Sequence, residues 1–368
     1  MARYIHQLKK WPDFTWNNEV LMPLLSGIRY KQGRLQGQMQ LLGFTLRDET
    51  SLQVLTLDVL KSSEIEGEVL SSDEVRSSIA RRLGMDIGGM VSSDRSVEGV
   101  VDMMLDATQQ YAALLDKERL CNWHAALFPT GRSGMYNITV ADWRADHDGP
   151  MQVISGPMGK ERVHYEAPAS DRLEQEMHMF LEWFNKINTV DPVLKSGIAH
   201  LWFVTIHPFD DGNGRMGRAI ADMQLARADG NTQRFYSMSA QIRLARNAYY
   251  AVLEKTQQGD LDITEWLLWF LNCMDAALDA TENLLQGVLQ KAAFWDMHHN
   301  TTINERQRTM INKLFDGFTG KLTSSKWAIL TKCSPDTALR DIQDLLQKDM
   351  LEKETAGGRS TSYVLRIK

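Results

Sequence analysis

The sequence predicts a mainly α protein with one internal β-hairpin and a C-terminal winged helix-turn-helix. Three observations carry that expectation. Apolar residues recur at helical spacing through most of the chain. Between Gly131 and Ala169 glycines and prolines cluster and apolar residues alternate instead. The chain then closes on three short helical patterns followed by two β-like runs. At 368 residues it is too long for one small core. The expected divisions are an N-terminal helical region over 1–95, a central core over 96–300 and the winged helix over 301–368.

The elements follow in order. "NNEVLMPLLSGIRYKQGRLQGQMQLLG" reads as a helix closing on Gly43, and "DETSLQVLTLDVLKSSEIEGEVL" as a second with its stop at Gly67. "SSDEVRSSIARRLG" opens like a capping box. "SVEGVVDMMLDATQQYAALL" and "DKERLCNWHAALF" are two more helices. "MQVISGPMGKERVHYEAP" places two short strands around a Gly-Pro and Met-Gly turn. Helices resume with "SDRLEQEMHMFLEWFNKI", "DPVLKSGIAHLWFVTIH", "GRMGRAIADMQLARADG", "AQIRLARNAYYAVLEKTQQG" and a long stretch from Ile263. In the last unit, three helices precede "LEKETAGGRSTSYVLRI", a hairpin with Gly357 and Gly358 in its turn.

Composition narrows the function. A net charge of -6 argues against coating nucleic acid by charge alone. The three cysteines, Cys121, Cys273 and Cys333, are far apart and suggest neither a disulfide framework nor a zinc site. No run is long and apolar enough to span a bilayer, and the N-terminus lacks a signal-peptide core. A cytoplasmic location without membrane attachment is expected.

The chemistry concentrates in "HPFDDGNGRMGR", residues 207–218. Gly212 and Gly214 free the backbone just before a helix begins, where N–H groups and the helix N-terminus favour an anion. Arg215 and Arg218 are three apart, on one face of that helix, and suit more than one phosphate. Asp211 is a hard oxygen ligand fit for Mg²⁺ that bridges phosphates. His207, with an ordinary pKa of about 6.5, is a general base for neutral pH. Together they describe nucleotide transfer to a hydroxyl. Each residue alone is commonplace; the joint pattern is specific.

At these residues the chain resembles the Fic family, whose signature is HPFx(D/E)GNGRxxR, matched at every fixed position from His207 to Arg218. The resemblance runs from about Ser96 to about Asp275 and implies a Fic-type helical bundle with the hairpin as a flap over the site. It implies transfer of AMP from ATP to Ser, Thr or Tyr hydroxyls of target proteins, the chain itself included, with release of pyrophosphate. His207 would deprotonate the hydroxyl and Asp211 would hold Mg²⁺. Gly212, Asn213 and Gly214 would form the anion hole, and Arg215 and Arg218, with Met216 and Gly217 between them, would hold the outer phosphates. Phe209 would plug into the core. Tyr249 and Gln257 fall where relatives contact adenine. The flap stretch Gln152, Val153, Ile154 and Ser155 would pair with a target segment by strand addition.

"SSEIEG", residues 62–67, is by itself a polar helix end. Beside the resemblance it fits the family's inhibitory pattern (S/T)xxxE(G/N) at Ser62, Glu66 and Gly67. Glu66 would then pair with Arg218 and exclude the γ-phosphate, since a carboxylate competes with a phosphate for one guanidinium. The same glutamate serves some relatives in removing AMP, and the sequence leaves the direction open. In the terminal unit, Asp336, Asp341 and Asp344 beside Arg340 on the second helix of the motif are unusual for a DNA reader. DNA binding by a nucleotide-sensing regulator, target recruitment and packing in a homodimer all stay open.

Overall fold

The computed structural model describes residues 3–367 apart from 42, 88, 147–148, 158, 161, 188, 316–317, 319 and 355–360. Met158 of the flap turn and the expected wing-turn residues Gly357 and Gly358 lie outside the described residues. The chain forms two compact units, residues 1–282 and 283–368.

The first unit begins with α1 (Asn18–Leu41), α2 (Phe44–Ile65) and α3 (Ser72–Arg82). The Ser71 side chain caps α3 by accepting from the Glu74 N–H, while Glu74 turns to the Asp94 N–H instead of closing a capping box. Next come α4 (Arg95–Gln109), shorter than its apolar pattern, and α5 (Lys117–Leu127), capped by Asp94 and Asp116. A two-residue hairpin, β1 (Arg132–Ser133) with β2 (Tyr136–Asn137), precedes the flap strands β3 (Gln152–Ser155) and β4 (Arg162–Glu166). Then follow α6 (Leu173–Asn185), α7 (Pro192–Ile206), α8 (Asn213–Asp229), α9 (Met238–Leu244), α10 (Arg246–Gln257) and α11 (Thr264–Met297), which contains the unit boundary.

Helix α7 is buried along its whole length from Val193 to Ile206, its polar residues Lys195, Ser196, His200 and Thr205 included, so it meets protein on every face. It packs on α8 so closely that a Cβ at Gly217 would come within 2.7 Å of Val204 Cγ1. The surrounding core draws on α2 to α6, including Leu55, Ile79, Met104, Trp123 and Phe180. Two boundaries differ from the sequence expectation. The stretch from Ala240 to Gly259 is two helices, broken at Ala245, which leaves helical geometry (φ -101°, ψ 26°). The β1–β2 pair was not expected, because two residues per strand carry no readable alternation.

The second unit has its own core around Trp327, Met310, Ile342, Leu345 and Met350. Its elements α12 (Glu305–Phe315), α13 (Ser324–Leu330), α14 (Pro335–Gln347), β5 (Leu351–Lys353) and β6 (Tyr363–Leu365) follow the expected order, and a bridge joins Leu322 to Tyr363. The acidic face assigned to α14 needs correction. Asp341 is 5% exposed and accepts from Arg306 and Asn304, while Asp344 pairs with Lys348 and Gln307. Asp341 thus serves the unit's interior, Asp344 is half-exposed beside Lys348, and Asp336, Leu339 and Arg340 are exposed. No described helix is long and apolar enough to cross a membrane.

Candidate active site

The loop between α7 and α8 holds the motif. His207 ends α7 in the left-handed conformation (φ 53°, ψ 58°), which turns the chain sharply away from the helix. Its Nδ1 faces the Val204 carbonyl at 3.2 Å, so a proton on Nδ1 leaves Nε2 as the free acceptor. Burial is the largest cause that lowers the imidazole pKa to about 4, with Arg144 adding to it. The ring is therefore neutral, the form a base needs, at any pH near 7.

The loop is held from several sides. Phe209 is fully buried and stacks on His124, with ring centroids 4.2 Å apart. Asn213 stitches the loop closed: its Oδ1 accepts from the Phe209 N–H at 3.1 Å and its Nδ2 donates to the Phe209 carbonyl at 2.8 Å. Asn213 is 2% exposed, so its side chain serves the loop and its part in an anion hole falls to the backbone. Gly212 has φ 81° and lies against Phe128, where a Cβ would approach ring carbon Cε2 at 2.9 Å. Asp211 accepts from the Gly212 N–H at 2.6 Å and from the Ser133 hydroxyl on β1.

The two motif arginines are both engaged by the last turn of α2 and the segment that follows it. Arg218 donates from Nε to the Ser62 hydroxyl at 2.9 Å and from Nη2 to the Ser62 carbonyl at 2.8 Å, and its Nη1 pairs with Glu66 Oε1 at 2.8 Å. Burial works against the Arg218 charge, but Glu66 and the neighbouring tyrosine hydroxyls carry its pKa above the ordinary value. The Glu66 carboxylate also lies over Gly214, in the space a Cβ there would fill. Arg215 pairs with Glu68 at 2.6 Å and rests over the Phe128 ring. Gly67, at φ 90°, makes this double engagement feasible. Its N–H donates to Glu64 O and the Glu68 N–H to Ser63 O, a glycine-terminated C-cap that reverses the chain between the two glutamates. Met216 and Gly217 lie inside the α7–α8 packing.

The flap is a two-stranded antiparallel pair in which Gln152 opposes Glu166 and Ser155 opposes Arg162. Among the described residues the outer edge of β3 is unpaired. Tyr249 and Gln257 present little surface, at 2% and 4% exposure. The Tyr249 hydroxyl meets His200 Nε2 at 2.9 Å, and Gln257 donates to the Thr205 hydroxyl at 3.3 Å.

Three contributors escaped the sequence reading. Arg144 is 3% exposed and donates from Nε to the His207 carbonyl at 2.8 Å, while its backbone N–H donates to the Pro208 carbonyl at 2.9 Å. It thus braces the strained turn from beneath. His124 meets the Asp211 carbonyl at 3.2 Å. Glu68 belongs to no sequence pattern, since only Glu66 fits one. A buried arginine and a second acidic residue past a helix stop are the only sequence traces of them, and neither is distinctive.

Asp211 suits a magnesium ion by donor chemistry: a single loop carboxylate beside an anion cradle is what a cation held mostly by phosphate and water requires. Among the described residues no three His, Cys, Asp or Glu side chains cluster as a metal cage.

A family model described as Fic/DOC family matches residues 114–225, and one described as a domain of unknown function (DUF4172) matches residues 4–85. Among curated relatives, Protein adenylyltransferase Fic of Drosophila erecta is 29% identical over 166 residues, 42% of this chain and 32% of that protein. The protein of the same name from Drosophila grimshawi is 32% identical over 127 residues, 33% of this chain and 25% of its own length. The matched stretch thus spans about a third or less of these relatives. A solved Fic family protein from Desulfovibrio desulfuricans aligns over 96% of this chain and 98% of its own at 20% identity, with a TM-score of 0.55. A Fic domain containing signaling protein from Bacteroides thetaiotaomicron aligns over 73% and 96% at 16% identity, with a TM-score of 0.51. These last two likenesses concern the fold.

Proposed function

The chain belongs to the Fic family through its domain at residues 114–225, and from that premise we propose that it is an autoinhibited protein adenylyltransferase, moving AMP from ATP to protein hydroxyls. The single observation that carries this reading is the Glu66 carboxylate, seated over Gly214 and paired with Arg218. An anion-binding cradle filled by the chain's own anion describes both the substrate it is built for, a phosphate, and its resting state.

The steps follow from the residues. The backbone from Gly212 to Gly214 and the start of α8 receive the phosphates. Arg215 and Arg218 neutralise the outer two once Glu68 and Glu66 withdraw. His207 Nε2 takes the hydroxyl proton as the oxygen attacks the α-phosphorus, and pyrophosphate leaves. Arg144 and Asn213 keep the loop in the geometry that this needs. Mg²⁺ on Asp211 would supply charge neutralisation for the phosphates. The stretch Gln152 to Ser155 would present the target by pairing along its free edge.

The test uses purified protein, labelled ATP and magnesium. Covalent label should be weak in the wild type, strong in Glu66→Gly and absent from Glu66→Gly combined with His207→Ala. Loss of Glu66 without any gain in label would defeat the inhibitory reading. A protein that instead releases AMP from a modified target through Glu66 is separated by offering that target and measuring both directions. A nucleotide-sensing regulator would show no label and would bind a specific operator in a salt-sensitive way.

A further inference from the structure

The break at Ala245 opens a concavity of about 260 Å³ where α9 meets α10, walled by residues 243–248. Leu244, Asn247 and Ala248 are exposed there, so the concavity is open to solvent. Its volume lies below that of drug-sized sites, about 300–1,000 Å³, and suits a small group. Two guanidinium groups three positions apart supply the charge. Arg243 faces Glu64 from Nε at 3.4 Å, and its side chain is 43% exposed. Arg246 donates from Nε to the Ile65 carbonyl at 2.7 Å and rests over the Tyr250 ring. Among the described residues neither arginine has a second acidic or carbonyl partner. Their Nη groups are the donors left for a ligand, and paired guanidiniums match the oxygens of a phosphate.

The same two arginines hold the segment that fills the nucleotide cradle. Glu64 and Ile65 immediately precede Glu66, and the Tyr250 hydroxyl lies 3.4 Å from both the Ile65 carbonyl and Glu66 Oε2. Each arginine contact to α2 is one that an anion can displace. The Arg243–Glu64 contact is long, and Glu64 has a shorter one to Lys61 at 2.6 Å, so it keeps a cation when Arg243 turns away. The Ile65 carbonyl is a neutral acceptor, and hydrogen bonds to a charged acceptor are roughly twice as strong.

Resting on the reading above, we propose that Arg243 and Arg246 form a second anion site, for a phosphate group, and that filling it releases Glu66 from the cradle. The bound group draws both guanidiniums from Glu64 and Ile65, and its charge repels the Glu64 carboxylate. The end of α2 then loses its hold on α9 and α10. The anion favours the released state because only there are both arginines free to face it. That is the differential affinity a shift in population requires.

Three measurements on the full chain decide it. The first needs no nucleotide: arginines are modified with phenylglyoxal in chloride or in inorganic phosphate at equal ionic strength, and mapped by peptide mass spectrometry. Phosphate should protect Arg243 and Arg246 together, while Arg162, 69% exposed on the flap, reacts as before. Equal modification of Arg243 and Arg246 in the two media overturns the proposal. Phosphoserine tried in its place identifies the source: tighter protection by phosphoserine assigns the site to a monoester, and tighter protection by inorganic phosphate assigns it to the free anion. The second is hydrogen exchange. The Glu68 N–H, which donates to the Ser63 carbonyl, should exchange at least about 5-fold faster in phosphate, the lower end of ordinary coupling between sites. Unchanged exchange overturns the release. The third uses labelled ATP and magnesium. Phosphate should raise labelling by the wild type about 5-fold or more and should not do so in Arg246→Gln. In Glu66→Gly nothing is left to release, so phosphate should only compete with ATP and lower the label. An equal rise in Glu66→Gly or Arg246→Gln overturns this inference and leaves the adenylyltransferase reading standing. No label in any form, Glu66→Gly included, overturns that reading, and protection and exchange then decide the site by themselves.

Discussion

Helix α2 meets α8 and the start of α9 at two places made of the same chemistry. Near its middle, Asp58 accepts from the Ser237 hydroxyl at 2.5 Å and the Ser239 N–H at 3.1 Å, beside the Asp222–Arg234 ion pair. Asp58, Asp222 and Arg234 are each 3% exposed or less. Burial pushes the Asp222 carboxyl well above its ordinary value, with Arg234 pulling the other way. At the helix end, Arg215 and Arg218 are just as buried, but their partners are not: the side chains of Glu68 and Glu66 are 49% and 30% exposed. Water can take over from a carboxylate at the second place and not at the first. On the proposed function, the middle of α2 is an anchor and its end a latch, and solvent access to the acidic partner separates them.

The largest effect should come from breaking the anchor. Arg234→Met leaves Asp222 and Asp58 without their cation and should cost about 3–5 kcal/mol, read by urea unfolding; a loss under about 1 kcal/mol would reduce the anchor to the rank of the latch. Next is Glu66→Gly. Hydrogen bonds to charged groups contribute about 1.5–3 kcal/mol, so freeing Arg218 should raise transfer about 10- to 100-fold. Stability should fall by about 1.5–3 kcal/mol at most, the contribution of that bond, since the helix-end position of Glu66 adds little of its own. The gain should vanish in Glu66→Gly with Arg218→Ala, the non-additivity of a coupled pair.

pH sharpens the contrast. His207 titrates at about 4, because burial disfavours its charged form. Activity of Glu66→Gly should therefore hold at pH 5.5, where a histidine of ordinary pKa would have lost about 10-fold. The sign for stability is the reverse. The unfolded chain binds protons near 6.5 that the buried histidines refuse until about 4, so the fold loses stability as pH falls through that window. His6 and His124, also lowered to about 4 by burial, act in the same direction. The smallest effect is expected for Glu68→Gln, whose half-exposed pair should contribute about 0.2–1 kcal/mol. A rise in transfer of roughly 2- to 5-fold is the expected result, and a gain matching that of Glu66→Gly would make Glu68 the main latch.

The parts of this site that were legible in the sequence share a trait. The loop from His207 to Arg218 and the "SSEIEG" segment are each contiguous, and the stop at Gly67 follows from its need for positive φ. The helix start at Ser71 was readable for the same local reason. What escaped is long-range. Arg144 reaches His207 across 63 positions, Glu68 reaches Arg215 across 147 and Asp58 reaches Ser237 across 179. No periodicity records such a meeting. The aspartates of α14 misled in the opposite way: as letters they were a repelling surface, but three-dimensional packing turned Asp341 inward onto Arg306. Ala245, an ordinary helix former, gave no sign that it would separate α9 from α10.

The stitching of Asn213 to both backbone groups of Phe209 has a kinetic consequence. A cradle tied shut at its base is already in shape before any nucleotide arrives, so no loop has to fold around the phosphates. On the proposed function, the slow event is then the departure of Glu66, the half-exposed Glu68 pair contributing little. Nucleotide association measured by stopped flow should then reach a plateau as ATP is raised, at the rate with which the latch opens by itself, and Glu66→Gly should convert that plateau into a straight line.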